Sequence, residues 1–196
     1  MRSRRFLPLL ALLLGLPRHA DAIAIGFDPA SQSVNPGDPV ELAVRISGLG
    51  DLVAPSLGAF DLDVSFDPGV LAYTGADFGD PLLGDQLDLF ALGSVSGATP
   101  ALGAVNLFEI SLDLPDDLNT LQAQSFVLFT LHFDALAPGA SALTLAANEL
   151  GDAYGDPLNA DLEPGSVGVV PEPGSAQLVA PGVALLAAWR RRLRRL

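Results

Sequence analysis

Few side chains in this sequence could do chemistry, and their spacing narrows the field. Between Ile23 and Val170 there is one histidine, His132, and one base, Arg45. Cys and Lys are absent throughout, which excludes thiol catalysis, disulfide staples and Cys-based zinc sites. His132 stands on the polar side of an alternating run beside Asp134, and no Gly-x-Ser-x-Gly elbow accompanies it. It reads as a surface residue, not as the base of a triad. Carboxylate pairs of the kind used for glycoside hydrolysis are freely available, but nothing in their spacing selects one pair. The expectation is a chain that is not an enzyme.

One internal echo could carry a ligand. Phe78-Gly79-Asp80-Pro81-Leu82 is matched by Tyr154-Gly155-Asp156-Pro157-Leu158, with Asp77 beside the first copy and Asp152 before the second. Two readings stay open. The motif is two similar turns, in which Pro after Asp enforces an extended conformation. Or Asp77, Asp80, Asp152 and Asp156 supply oxygens to calcium, which takes 6–8 such ligands. The spacing is not that of an EF-hand, and calcium is the only cofactor the residues suggest.

Charge limits the partners. Ile23 to Val170 holds 21 acids against Arg45, a balance of −20. Nucleic acid is excluded as a partner of this stretch, because phosphate binding needs a basic footprint. Sugar stacking would need exposed aromatics. The single Trp, Trp189, lies near the C-terminal end, and the middle offers only Tyr73, Tyr154 and Phe residues that mostly fall on apolar faces. A carbohydrate-binding module associated with polysaccharide processing is therefore the second reading of the middle segment, behind a protein-binding one.

The elements that position these residues are strands. Val40, Leu42, Val44 and Ile46 alternate with Glu41, Ala43, Arg45 and Ser47. Phe60, Leu62, Val64 and Phe66 alternate with Asp61, Asp63 and Ser65. Phe108, Ile110, Leu112 and Leu114 alternate with Glu109, Ser111 and Asp113. Val127, Phe129, Leu131 and Phe133 alternate with Leu128, Thr130, His132 and Asp134. Period two predicts half-buried antiparallel strands with the first-named set inward. Weaker runs lie at Ile23–Phe27, Val70–Thr74, Asp88–Leu92, Ala142–Ala147 and Ser166–Val170. Turns at Asn35-Pro36-Gly37-Asp38, Asp67-Pro68-Gly69, Pro138-Gly139 and Glu163-Pro164-Gly165 separate them. About nine strands predict an all-β sandwich. A helical turn is expected after Pro115, capped by Asp116 or Asp117, and Gly75 to Gly103 is the least regular part.

Both ends read as addresses. Met1 to Arg5 is basic, Phe6 to Leu16 is apolar, and Ala20-Asp21-Ala22 places small residues where a signal peptidase cuts. This predicts a signal peptide over 1–22, cleaved after Ala22. Eleven apolar residues make about 16 Å of helix, too short for a hydrocarbon core of about 30 Å. At the other end, Pro171-Glu172-Pro173 precedes a short apolar segment, Ala176 to Trp189, and the basic cluster Arg190, Arg191, Arg192, Arg194 and Arg195. The basic end obeys the positive-inside tendency.

That order resembles the PEP-CTERM sorting signal of Gram-negative bacteria. The resemblance implies a tail over 171–196 that anchors transiently in the inner membrane through a short hydrophobic helix. It also implies processing by an exosortase and delivery to the cell surface or the extracellular polysaccharide matrix. The middle, 23–170, resembles the cohesin family. Gly58-Ala59-Phe60-Asp61-Leu62-Asp63-Val64-Ser65-Phe66-Asp67-Pro68-Gly69-Val70-Leu71 looks like its signature strand and turn. Pro36-Gly37-Asp38-Pro39-Val40, Val44-Arg45-Ile46-Ser47-Gly48 and Leu136-Ala137-Pro138-Gly139 fit neighbouring segments. Cohesins are nine-stranded antiparallel sandwiches of jelly-roll topology, related to bacterial carbohydrate-binding modules. The resemblance implies an adhesion or scaffolding module whose partner is an envelope protein or exopolysaccharide.

Overall fold

The computed structural model describes residues 22–171. The signal-peptide residues up to Asp21, Ala20 included, and the tail from Glu172 onward, with its Arg cluster, lie outside the described residues. The strands are β1 (Ala24–Asp28), β2 (Ser31–Val34), β3 (Pro39–Ser47), β4 (Leu57–Ser65), β5 (Leu71–Phe78), β6 (Val95–Ala101) and β7 (Ala104–Ile110). A short helix α1 (Pro115–Leu121) precedes β8 (Phe126–Ala135), β9 (Gly139–Asp152), β10 (Asp161–Leu162) and β11 (Gly165–Val169).

These strands form two sheets, ordered β10-β1-β3-β8-β5 and β2-β11-β9-β4-β7-β6. Their inward faces make one apolar core. Val40, Leu42, Val44 and Ile46 on β3, Phe60, Leu62 and Val64 on β4, and Phe129, Leu131 and Phe133 on β8 are all buried. The ring of Phe60 lies 5.7 Å from that of Phe129, and Phe66 meets Phe133 edge-on at 5.0 Å. Aromatic pairs at such separations add to the burial of their area. The sandwich expected from alternation is present, with eleven strands in place of about nine. The short β2 and β10 pair in parallel with β11 and β1 at the sheet margins, and the other pairings are antiparallel.

Four local expectations are corrected. In β7 the phase is reversed: Val105, Leu107 and Glu109 are buried, whereas Ile110, Leu112 and Leu114 are exposed. The register decides this. Val105 lies opposite Val64, Leu107 opposite Leu62 and Glu109 opposite Phe60, and directly paired residues share a face. Phe108 stays outside by lying over Gly97 of β6, where an added Cβ would come within 2.9 Å of its ring. In β8, Leu128 is buried rather than outward, because the register with β3 slips between Val44 and Arg45 and inserts it as an extra residue.

Asp88–Leu92 forms turns rather than a strand, and the strand of this region is β6. The helix starts two to three residues earlier than expected, with Leu114 rather than Asp116 or Asp117 at the N-cap, no side-chain cap bond and Pro115 in the first turn. Proline suits that position because its missing N–H would have no partner there. Gln122 then joins three elements. Its Oε1 accepts from Leu57 N at 2.7 Å, and its Nε2 donates to Leu57 O and Gln86 O, each at 2.9 Å.

Candidate functional site

The outer face of β4, β7 and β9 carries a built polar cluster. Alternation on β4 turns Asp61 and Asp63 away from the core, and the β7 register places Asn106 opposite Asp63. Asn106 Nδ2 donates to Asp61 Oδ1 at 2.5 Å and to Asp63 Oδ1 at 2.9 Å. A register slip in β9 brings Asn148 close, and its Nδ2 donates to Asp61 Oδ1 at 3.1 Å. Amide donors thus hold the two carboxylates in fixed positions, with Glu149 paired opposite Asp61. Phe108 and the exposed Ile110 and Val95 continue the same side of the sheet toward its β6 edge. The arrangement offers preset acceptors beside an apolar strip, which suits recognition of donor groups on a partner.

The opposite sheet presents the positive and titratable groups. Arg45 on β3 reaches Asp28 Oδ2 at 3.5 Å and Asp80 Oδ2 at 3.9 Å. His132 on β8 is a clamp between strands: Nε2 meets Asp77 Oδ2 at 2.9 Å, and Nδ1 lies 3.7 Å from Glu41 Oε1. Its neighbours are therefore Glu41 and Asp77, not Asp134. With both ring nitrogens turned to carboxylates, it joins β3, β8 and β5 rather than presenting a base to a hydroxyl.

The four acids of the repeated motif have separate duties. Gly79 and Gly155 both adopt positive φ, +89° and +84°, a region that glycine enters without a Cβ clash. Beyond that the copies diverge. Asp80 is buried. Its Oδ1 accepts from Leu82 and Leu83 N at 2.8 and 3.1 Å, and its Oδ2 from Val127 N at 2.9 Å. Burial alone would raise this carboxyl, but the Val127, Leu82 and Leu83 amides and Arg45 outweigh it and hold the group below the usual carboxylate range. Asp152 Oδ1 instead closes its own turn, accepting from Tyr154 N at 2.8 Å and Asp156 N at 2.9 Å. Asp77 belongs to β5 and pairs with His132, while Asp152 ends β9 in the other sheet. Among the described residues, no three acidic or histidine side chains stand together as a complete metal set.

Sequence reasoning passed over Asn106, Asn148 and Glu109. The amides belong to strands that alternation alone does not align, and their meeting with Asp61 depends on register and on a slip in β9. For Glu109 the signal was present but masked. Val105, Leu107 and Glu109 form one alternating set, and the bulk of Phe108 and Ile110 on the other set hides it. Pro171 is the one residue of the tail motif among those described, and it follows β11 as irregular chain. No helix among the described residues is long and apolar enough to cross a membrane.

No family model matches this sequence, and no curated protein matches it either. Solved structures do resemble the fold. A non-cellulosomal cohesin from the hyperthermophilic archaeon Archaeoglobus fulgidus aligns with a TM-score of 0.57 at 18% identity, over 80% of this chain and 96% of that one. The sixth cohesin of scaffoldin B from Acetivibrio cellulolyticus, solved in complex with a dockerin, gives 0.59 at 16% identity, over 76% of this chain and 99% of that one. A type I cohesin–dockerin complex from Clostridium thermocellum gives 0.59 at 15% identity, over 76% and 100%. The fold of residues 22–171 is thus a cohesin-like β-sandwich.

Proposed function

We propose that this chain is an exported, non-catalytic docking module. In this reading the cohesin-like sandwich binds a protein partner through the outer face of β4, β7 and β9. The tail from Pro171 is read by an exosortase, which delivers the module to the cell envelope or the exopolysaccharide matrix for adhesion or scaffolding. The observation that carries the docking role is the fixed Asp61–Asn106–Asp63 cluster, extended by Asn148 and flanked by Phe108 and Ile110. It lies on strands that the core has already made rigid. Solved cohesins crystallised with dockerin partners support a protein as the occupant. A dockerin-like partner would need donors, and preferably positive charge, to meet an acidic face.

The test is capture of partners from the source bacterium by full-length protein, comparing wild type with Asp61→Arg combined with Asp63→Arg. Reversing these charges should abolish a specific partner, while Glu41→Arg on the opposite sheet should retain it. Equal capture by all three proteins would refute this face.

A second reading, a carbohydrate-binding module, is favoured by one feature. An open groove of about 410 Å³ is lined by Asn148, Glu149, Pro157 and Asn159. Amides and a carboxylate suit sugar hydroxyls, and Tyr154, exposed beside Gly155, is an aromatic near the groove's rim. Binding on a glycan array that Asn159→Ala removes would favour this reading over the first.

A further inference from the structure

Four strands lie at the margins of the two sheets, and three of them are blunted as edges. β10 has two residues and β2 has four, too short to template a partner. β5 carries Asp77 and a register break between Tyr73 and Gly75, and charges and bulges are devices that keep open edges from pairing. β6 has neither. Its seven residues run in unbroken register with β7 and include no charged side chain. It lies within the longest charge-free run between Ile23 and Val170, Leu89 to Phe108. Every residue of β6 except Gly97 is exposed.

Hydrogen-bond phase decides which main-chain groups are free. Ser111 N donates to Gly58 O at 2.9 Å. On β7, Val105, Leu107 and Glu109 therefore bond to β4, while Ala104, Asn106, Phe108 and Ile110 bond to β6. Their partners on β6 are Ala101, Thr99, Gly97 and Val95. The main-chain groups of Ser96, Ala98 and Pro100 thus point to the open edge. Pro100, which has no N–H, stands where the ladder needs none.

A neutral, regular edge fits the same edge of a second copy. The sandwich carries −20, so two copies repel over most of their surface. Edge to edge, β6 and β7 of each copy would hold the two β4 acid pairs five strand spacings apart, about 24 Å. That exceeds the Debye length of about 8 Å at physiological salt. With Gly97, Ala98 and Ala101, β6 offers neither charge nor side-chain relief by which to select a foreign peptide. Antiparallel pairing about a two-fold axis at Gly97 sets Ser96 of each copy against Ala98 of the other, and each pair exchanges N–H and C=O bonds. Pro100 then gives only its carbonyl, at the end of the paired stretch. Phe108 already lies over Gly97, so Phe108, Val95 and Ile110 of both copies form an apolar seam across the join.

We propose that two copies of this chain pair antiparallel through β6, joining their six-stranded sheets into one continuous sheet. The pairing does not rest on the docking role of the β4, β7 and β9 face, although it would set two such faces side by side.

The test is sedimentation equilibrium of the full chain in mild detergent, from micromolar to millimolar concentration. One strand edge is a small interface, so a weak, concentration-dependent dimer is expected. Ala98→Pro removes an N–H that β7 does not use and should raise the dimer Kd at least about tenfold, as the loss of one or two hydrogen bonds does. Thr99→Lys adds to an exposed position the charge that protected edges carry. It should weaken the dimer likewise, and it keeps the test informative should the proline variant fold poorly. Ser33→Lys on β2, and Asp61→Arg combined with Asp63→Arg, should leave the dimer intact, so failure of the docking role would not be mistaken for failure of this pairing. In wild type, hydrogen exchange at the Ser96 and Ala98 amides should slow as concentration rises. A wild type that keeps the mass of one copy throughout overturns the proposal. A dimer that Ala98→Pro and Thr99→Lys leave unchanged, or that Ser33→Lys disrupts, overturns it equally.

Discussion

Phe60 and Glu109 lie directly opposite each other on β4 and β7, so a phenyl ring and a carboxyl enter the sandwich from the same side of one sheet. Burial pushes the Glu109 carboxyl up to about 8, against the Ser94 hydroxyl, which favours the ionised form; Asp85 and Asp88 add to the rise. A carboxyl whose folded pKa is raised contributes stability that is complete below about pH 4.5 and is lost as pH climbs through the folded value. Wild type should therefore lose stability between about pH 5 and pH 8. Glu109→Gln keeps the shape without the charge and should be more stable at pH 8, by on the order of 3 kcal/mol. Denaturant melts across that range check this. Parallel pH profiles for the two proteins would show that Glu109 is not held protonated.

The reversed phase of β7 sets up a contrast between two apolar residues in neighbouring strands. Phe60 is fully enclosed, whereas Ile110, which alternation alone would bury, is 47% exposed. Phe60→Ala should cost about 3–5 kcal/mol, as truncated aromatic core residues do. Ile110→Ser should stay within about 0.5–1 kcal/mol, as for a surface change. Urea unfolding of the two variants measures the difference, and comparable losses would restore the opposite phase.

Much of this fold is legible because hydrophobic period two is a local signal. β3, β4 and most of β8 expose and bury the residues their alternation dictates. The signal fails where two alternating sets compete, as in β7, since apolar bulk does not decide a face when pairing to β4 does. It fails again in β6, whose residues Val95–Ala101 are mostly exposed at a sheet edge and carry no apolar face to read. The polar cluster on the outer face of β4 was half legible. Asp61 and Asp63 are outward acids on a clear strand, but their amide partners come from β7 and a β9 register slip that no spacing along the chain encodes. Asp80 was visible as part of a repeated motif, yet its burial beneath Val127 is a long-range fact, 47 residues away.

Asp80 supports a second pH-dependent effect of opposite sign. Its folded pKa is depressed, so its contribution is present above the ordinary value of 3.8 and is lost as pH falls through the folded value. Asp80→Ala would strand the Val127, Leu82 and Leu83 amides and remove a partner of Arg45. Unpaired buried donors cost about 1–3 kcal/mol each, so a loss of about 3 kcal/mol is expected at pH 7. Asp156→Ala, at the matching position of the exposed copy, should cost under about 1 kcal/mol. Chemical denaturation at pH 7 checks both, and equal losses would mean the two copies play equal structural parts.

Export and sorting are tested at the two ends of the chain. The basic, apolar, Ala20-Asp21-Ala22 order predicts a mature protein that begins at Ile23. N-terminal sequencing of secreted protein reads this directly, and a chain still starting at Met1 refutes it. The tail makes a separate demand. Ala176 to Trp189 is about 21 Å of helix if helical, short against a hydrocarbon core of about 30 Å. Under the proposed sorting role, such a segment would serve as a temporary hold with the Arg cluster on the inner side. Without exosortase the Arg-rich end should remain attached and the protein should fractionate with the inner membrane. If the motif is what the enzyme reads, Pro171→Ala combined with Pro173→Ala should reproduce that retention in cells that have the enzyme. Intact-mass measurement of membrane and secreted fractions separates the outcomes. Equal release with and without the enzyme, and from the double substitution, would remove the exosortase from the account.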